Sequence, residues 1–93
     1  MPYIKLEDRV KYDNAVDELA IELLTTKNLS GDLNYIISSI LALVIKERGM
    51  SYGTASTLVS ALECAKLEFV RRVLDPYEDK KITDNGDVYE DLG

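Results

Sequence analysis

A chain of 93 residues suffices for one domain, yet it buries a smaller share of its surface than a domain of about 150 residues, which makes self-association an early expectation. Its composition, 46% hydrophobic and 30% charged with two prolines and five glycines, excludes a disordered chain. Seventeen acids against eleven bases give a net charge of -6, a field that repels a phosphate backbone unless the bases gather on one face, so nucleic acid is a disfavoured partner.

Residues Met1 to Tyr12 set Pro2-Tyr3-Ile4 before the charges Lys5, Glu7, Asp8, Arg9 and Lys11, and read as an irregular arm. Asp13 or Asn14 offers a side-chain oxygen to cap a helix, after which Val16, Leu19, Ala20 and Leu23 keep three-to-four spacing. The first helix is expected over about Asn14 to Thr26. In the following loop Ser30 or Asp32 is the expected cap of the second helix, which runs to Arg48 and stops at Gly49. Leu33, Ile36, Ile37, Ile40, Leu41 and Val44 make one wide stripe, while Leu43 and Ile45 extend apolar surface round the other side. A helix apolar on nearly all sides is central or covered by a partner. Its longest uncharged run, Leu33 to Ile45, is short of the roughly 20 residues of a spanning helix, so no membrane anchor is expected.

The short connection through Met50 predicts an antiparallel helical hairpin between the second and third helices. Ala55, Leu58, Val59, Leu62, Phe69, Val70 and Val73 keep helical period to Leu74. Asp75-Pro76-Tyr77-Glu78 then reads as a restart, with an aspartate cap, proline in the first helical position and a glutamate three beyond the cap. A short fourth helix is expected to about Ile82. Asn85-Gly86 signals a turn, and Val88-Tyr89 after it is a candidate to pair with Tyr3-Ile4 in a two-stranded ribbon; residues 90–93 read as a frayed end. The expected fold is mainly α: one domain over 1–93, with a three-helix core containing a hairpin, a short C-terminal helix, and a ribbon between the termini.

Histidine is absent, which removes the commonest general base and metal ligand. Cys64, the single cysteine, has no internal partner and reads as a small buried side chain rather than a nucleophile. With no charged-then-apolar leader, a cytoplasmic setting is expected. Glu18 and Glu22 at i and i+4, or Glu63 with Glu68, offer carboxylates to magnesium, as in helical nucleotide pyrophosphohydrolases, but the spacing departs from their paired motifs and a solvated helix face accounts for them more simply. Asp84-Asn85-Gly86-Asp87 lacks the remaining positions of a calcium loop and reads as a turn. No metal or cofactor is expected.

The strongest candidate is the basic island Lys66, Arg71, Arg72, Lys80 and Lys81, interleaved with Glu68, Asp75, Glu78 and Asp79. Two readings stand side by side. In one, Glu68 and Asp75 pair with Arg71 and Arg72 at i,i+3 and i,i+4, each pair contributing about 0.2–0.5 kcal/mol. In the other, arginine forks and lysines hold a small anion with Tyr77 or Tyr35 stacking on it. Six tyrosines against one phenylalanine and no tryptophan suit either purpose, since a ring with a wet hydroxyl pins a helix end as readily as it stacks on a base.

The run Leu62-Glu63-Cys64-Ala65-Lys66-Leu67-Glu68-Phe69, then Arg71-Arg72-Val73, Pro76-Tyr77-Glu78-Asp79-Lys80-Lys81-Ile82 and Asn85-Gly86-Asp87-Val88-Tyr89, resembles a family of small uncharacterised proteins of phages, prophages, bacteria and archaea. Pro2-Tyr3-Ile4-Lys5, Glu7-Asp8-Arg9 and Leu33-Asn34-Tyr35 fit the same pattern, whereas Val70 stands where that family has an aromatic residue. The resemblance implies a mobile, viral genetic context, with the host cytoplasm as setting, and carries no activity. By analogy with small helical phage proteins that sequester immune signals, the expected function is that of a non-enzymatic, self-associating protein that binds a cyclic nucleotide or ADP-ribose-type molecule. The alternatives are a protein-interaction module acting on a host or phage enzyme, and a magnesium-dependent pyrophosphohydrolase.

Overall fold

A computed structural model describes residues 2–90 and Leu92; the ends of the arm and of the frayed tail fall outside the described residues. The described residues contain helices and no strand: α1 (Leu6–Leu24), α2 (Leu29–Arg48), α3 (Tyr52–Phe69), a π turn (Val70–Leu74) and α4 (Asp75–Asn85). The last three follow one another without a break, so the described residues form three helical stretches. Contacts group it into two compact units, residues 3–59 and residues 60–93 with Pro2.

In unit 3–59, α1 begins at Leu6, eight residues ahead of the expected Asn14. The charges read as an arm are the acidic first turn of a helix: Glu7 and Asp8 lie at the positive end of the dipole, and Arg9 Nε donates to the Ile4 carbonyl at 2.8 Å, tying down the entering chain. α2 is capped by Asn28, upstream of both Ser30 and Asp32, with the Gly31 N–H donating to Asn28 Oδ1 at 3.2 Å. Glycine suits position 31, because a Cβ there would press on the Asn28 side chain. Asp32 instead accepts from the Thr26 hydroxyl, and Thr26 Oγ1 accepts from the Asn28 N–H at 3.2 Å. The α1–α2 loop is thus closed by its own polar side chains.

Gly49 ends α2 as expected, at φ 89°, a region open to glycine. Its ψ of 146° sends the chain onward in extended form, instead of reversing it as a left-handed helical residue does. Ser51 then caps α3, accepting from the Thr54 N–H at 3.1 Å. The expected hairpin does not form: within 3–59 the packed pair is α1 with α2, and α3 does not pack on α2. A short loop makes neighbours of two helices only when its backbone turns.

In unit 60–93 the expected restart at Asp75 is also absent. Leu74 and Asp75 are both right-handed helical, with no side-chain cap. The Asp75 N–H donates to the Val70 carbonyl, five residues back, and so defines the widened turn. Pro76 explains it: proline in a regular helix clashes with the carbonyl four residues earlier and supplies no N–H, and one π turn relieves the clash without breaking the helix. α4 continues to Asn85, where Gly86 at φ 96° caps it. The ribbon is not formed, since Tyr3, Ile4, Val88 and Tyr89 are all outside any strand.

No described residue is buried. Leu6 and Leu24 on α1, Leu43 on α2, Phe69 on α3 and Tyr77 on α4 keep 75%, 80%, 59%, 61% and 55% of their surface. Cys64, expected inside, is exposed.

Candidate functional site

The basic island lies on one uninterrupted helical stretch of unit 60–93, and all five of its cations are exposed. At about 1.5 Å per residue, Lys66 and Lys81 are roughly 20 Å apart along the axis, so these five charges do not converge on one small molecule. Pairing takes up part of the island. Arg71 Nη2 donates to Glu68 Oε1 at 2.6 Å, and Lys66 Nζ lies 3.8 Å from Glu63. Lys81 Nζ sits 5.4 Å from the centre of the Tyr77 ring, one helical turn away, a cation–π distance. Arg72 and Lys80 have no ion partner among the described residues. The pairing of Arg72 that the spacing with Glu68 and Asp75 suggests is therefore absent. The π turn holding Arg71 and Arg72 is of the kind found often at functional positions.

The residues after Asp75 do not fold back over Arg71 and Arg72, because α4 stays helical to Asn85. After Gly86 the chain turns alongside α4, with the Tyr89 N–H donating to Asp87 Oδ1 at 2.8 Å. An open recess of about 400 Å³ there is lined by Glu78, Lys81, Ile82, Val88 and Tyr89 among others. Of the sequence candidates, Lys81 alone lines it.

Tyr35 belongs to the other unit. It is 73% exposed and borders an open recess of about 440 Å³ with Glu22, Thr26, Asp32 and Ile36 beside the α1–α2 loop. Sequence reasoning missed this corner, and the signal for it was the asparagine three residues ahead of Gly31. Glu18 and Glu22 edge a third open recess with Ala15, Leu19 and Ile21. Among the described residues no group of three His, Cys, Asp or Glu side chains is close enough to hold a metal ion. By length and composition alone, α2 is long and apolar enough to cross a membrane.

The family described as a domain of unknown function, DUF6899, matches residues 1–88, and the chain belongs to it. No curated protein and no solved structure matches the chain.

Proposed function

We propose that this DUF6899 protein is a non-enzymatic, self-associating binding protein whose ligand is a small anionic, nucleotide-like molecule of the cyclic-nucleotide or ADP-ribose type. The observation that carries the reading is the absence of any buried residue among those described, with large apolar side chains open on every helix. Burying apolar area is the main favourable term in folding, and these faces need a partner to supply it. Association also answers the spread of the basic island. Arg72 and Lys80 stand exposed without ion partners among the described residues, and a helix from another copy brings a second set of such charges within reach of one anion. The LECAKLEF to NGDVY segment, Leu62 to Tyr89, and the phage context of the family it resembles support a counter-defence role in the host cytoplasm, in which binding removes a signal.

Titration calorimetry of the wild-type chain against cyclic nucleotides and ADP-ribose derivatives tests the ligand. Binding that is lost in the Arg72→Ala, Lys80→Ala double variant is the expected result, and no heat from any member of the panel removes the ligand reading. A second reading, an interaction module for a host or phage enzyme, is favoured by the open apolar stripe on α2. Co-purification of one defined enzyme, with no small ligand bound, selects it over the first.

A further inference from the structure

We infer that α2 is the surface on which two copies of this chain join, laid antiparallel about a two-fold axis near Ile40. The inference rests on the self-association proposed above and names its surface. Leu33, Ile37, Ile40 and Leu43 keep 43%, 36%, 50% and 59% of their surface, and spacings of three and four place them along one side of the helix. Within 3–59, α1 meets α2 around Leu23 and Ile36 beside their connecting loop, and α3 does not pack on it.

Two observations select a second copy as the occupant. The first is charge. α2 carries Asp32 in its first turn and Lys46 and Arg48 in its last, so antiparallel copies set acid beside base and oppose their dipoles, and parallel copies set like beside like. The second is self-complementarity. A two-fold axis at Ile40 sets Ile40 against its own copy and pairs Ile37 with Leu43 of the second copy, apolar on apolar, as an isologous interface requires. A bilayer is a poorer occupant although α2 has the length to cross one, because its uncharged run Leu33 to Ile45 covers about 20 Å of about 30 Å of hydrocarbon and leaves the charges of Asp32 and Lys46 inside it.

The test uses the full chain with Cys64→Ala and one added cysteine, oxidised and read on a denaturing gel, with molar mass and circular dichroism recorded on each variant. Ile40→Cys is expected to form covalent dimers. Leu33→Cys is not, since the two-fold sets its copies roughly 20 Å apart, beyond the about 7 Å that a disulfide spans. Mixing Ile37→Cys chains with Leu43→Cys chains, expected to cross-link with each other, repeats the test with Ile40 intact. Cross-linking at Leu33 as strong as at Ile40 means parallel helices and overturns the inference. An oligomer that links at neither Ile40 nor the mixed pair overturns it and leaves self-association standing. A monomer overturns both, and co-flotation of the wild-type chain with phosphatidylcholine vesicles assigns the stripe to a bilayer and overturns the inference.

Discussion

Unit 3–59 and unit 60–93 handle interruption in opposite ways. In the first, α2 and α3 begin and α2 ends at a local device: Asn28 and Ser51 cap the starts, and Gly49 at φ 89° forces a stop. In the second, the strongest breaker in the chain, Pro76, breaks nothing, because the turn ahead of it widens and the helix carries on. A capped end depends on a few side chains, whereas a proline inside a helix engages the carbonyls of the preceding turn, which can rearrange together. The first unit also holds the apolar stripe of α2, and the second holds the basic island. The proposed association and the proposed ligand contact thereby fall on different stretches of one chain.

The largest expected effect is on that division. Ile40→Asp places a charge in the middle of the α2 stripe, and an uncompensated charge in a closed interface costs on the order of 3–5 kcal/mol. Sedimentation of the variant is expected to show monomer with a marked loss of helical signal; an unchanged assembly would mean that α2 faces water. Next in size is Pro76→Ala. Restoring an N–H and removing the ring is expected to stabilise unit 60–93 by about 1–3 kcal/mol, read as a higher urea midpoint. It also lets the π turn revert and so re-aims Lys80 and Lys81 relative to Arg71 and Arg72, which is expected to weaken anion binding even as stability rises. A stabilised variant with unchanged binding would separate the π turn from function.

Asn28→Ala follows, at about 1 kcal/mol of lost stability from the missing cap, and Asn28→Gly is expected to recover most of it; equal losses in both variants would mean that Asn28 does more than cap. The smallest effect is assigned to Glu68→Gln, which removes the ionic character of the contact with Arg71. The arginine side chain is 64% exposed, so solvent screening keeps the change to a few tenths of a kcal/mol. A loss above about 1 kcal/mol in a denaturant titration would show that this pair sits under a partner subunit.

Helical class and the C-terminal end of α2 were legible from the chain because they rest on local chemistry, an apolar period followed by a glycine; its start was not, since Asn28 caps it ahead of Ser30 and Asp32. The start of α1 was not, since Lys5 to Lys11 alternate in charge and hide the Leu6 and Val10 positions, while the dipole preference of Glu7 and Asp8 tells for helix. Pro76 misled for a related reason. At the first position of a helix and after a π turn a proline has the same neighbours in sequence, and only the carbonyls of the turn before it distinguish the two. The hairpin failed on the ψ angle of one residue, Gly49, which composition does not specify. At the site, the i,i+3 partner of Arg71 was readable from spacing alone. The open state of Arg72 and the division that puts Tyr35 in the other unit were not, because neither follows from spacing in the sequence.

The central claim is that this chain completes its apolar packing with further copies of itself. Sedimentation equilibrium of the wild-type protein, with circular dichroism at each concentration, tests it most directly. A mass that is a multiple of 10.4 kDa, with helical signal falling as the protein is diluted to monomer, is the expected result. A mass of 10.4 kDa with full helical signal at every concentration would contradict it.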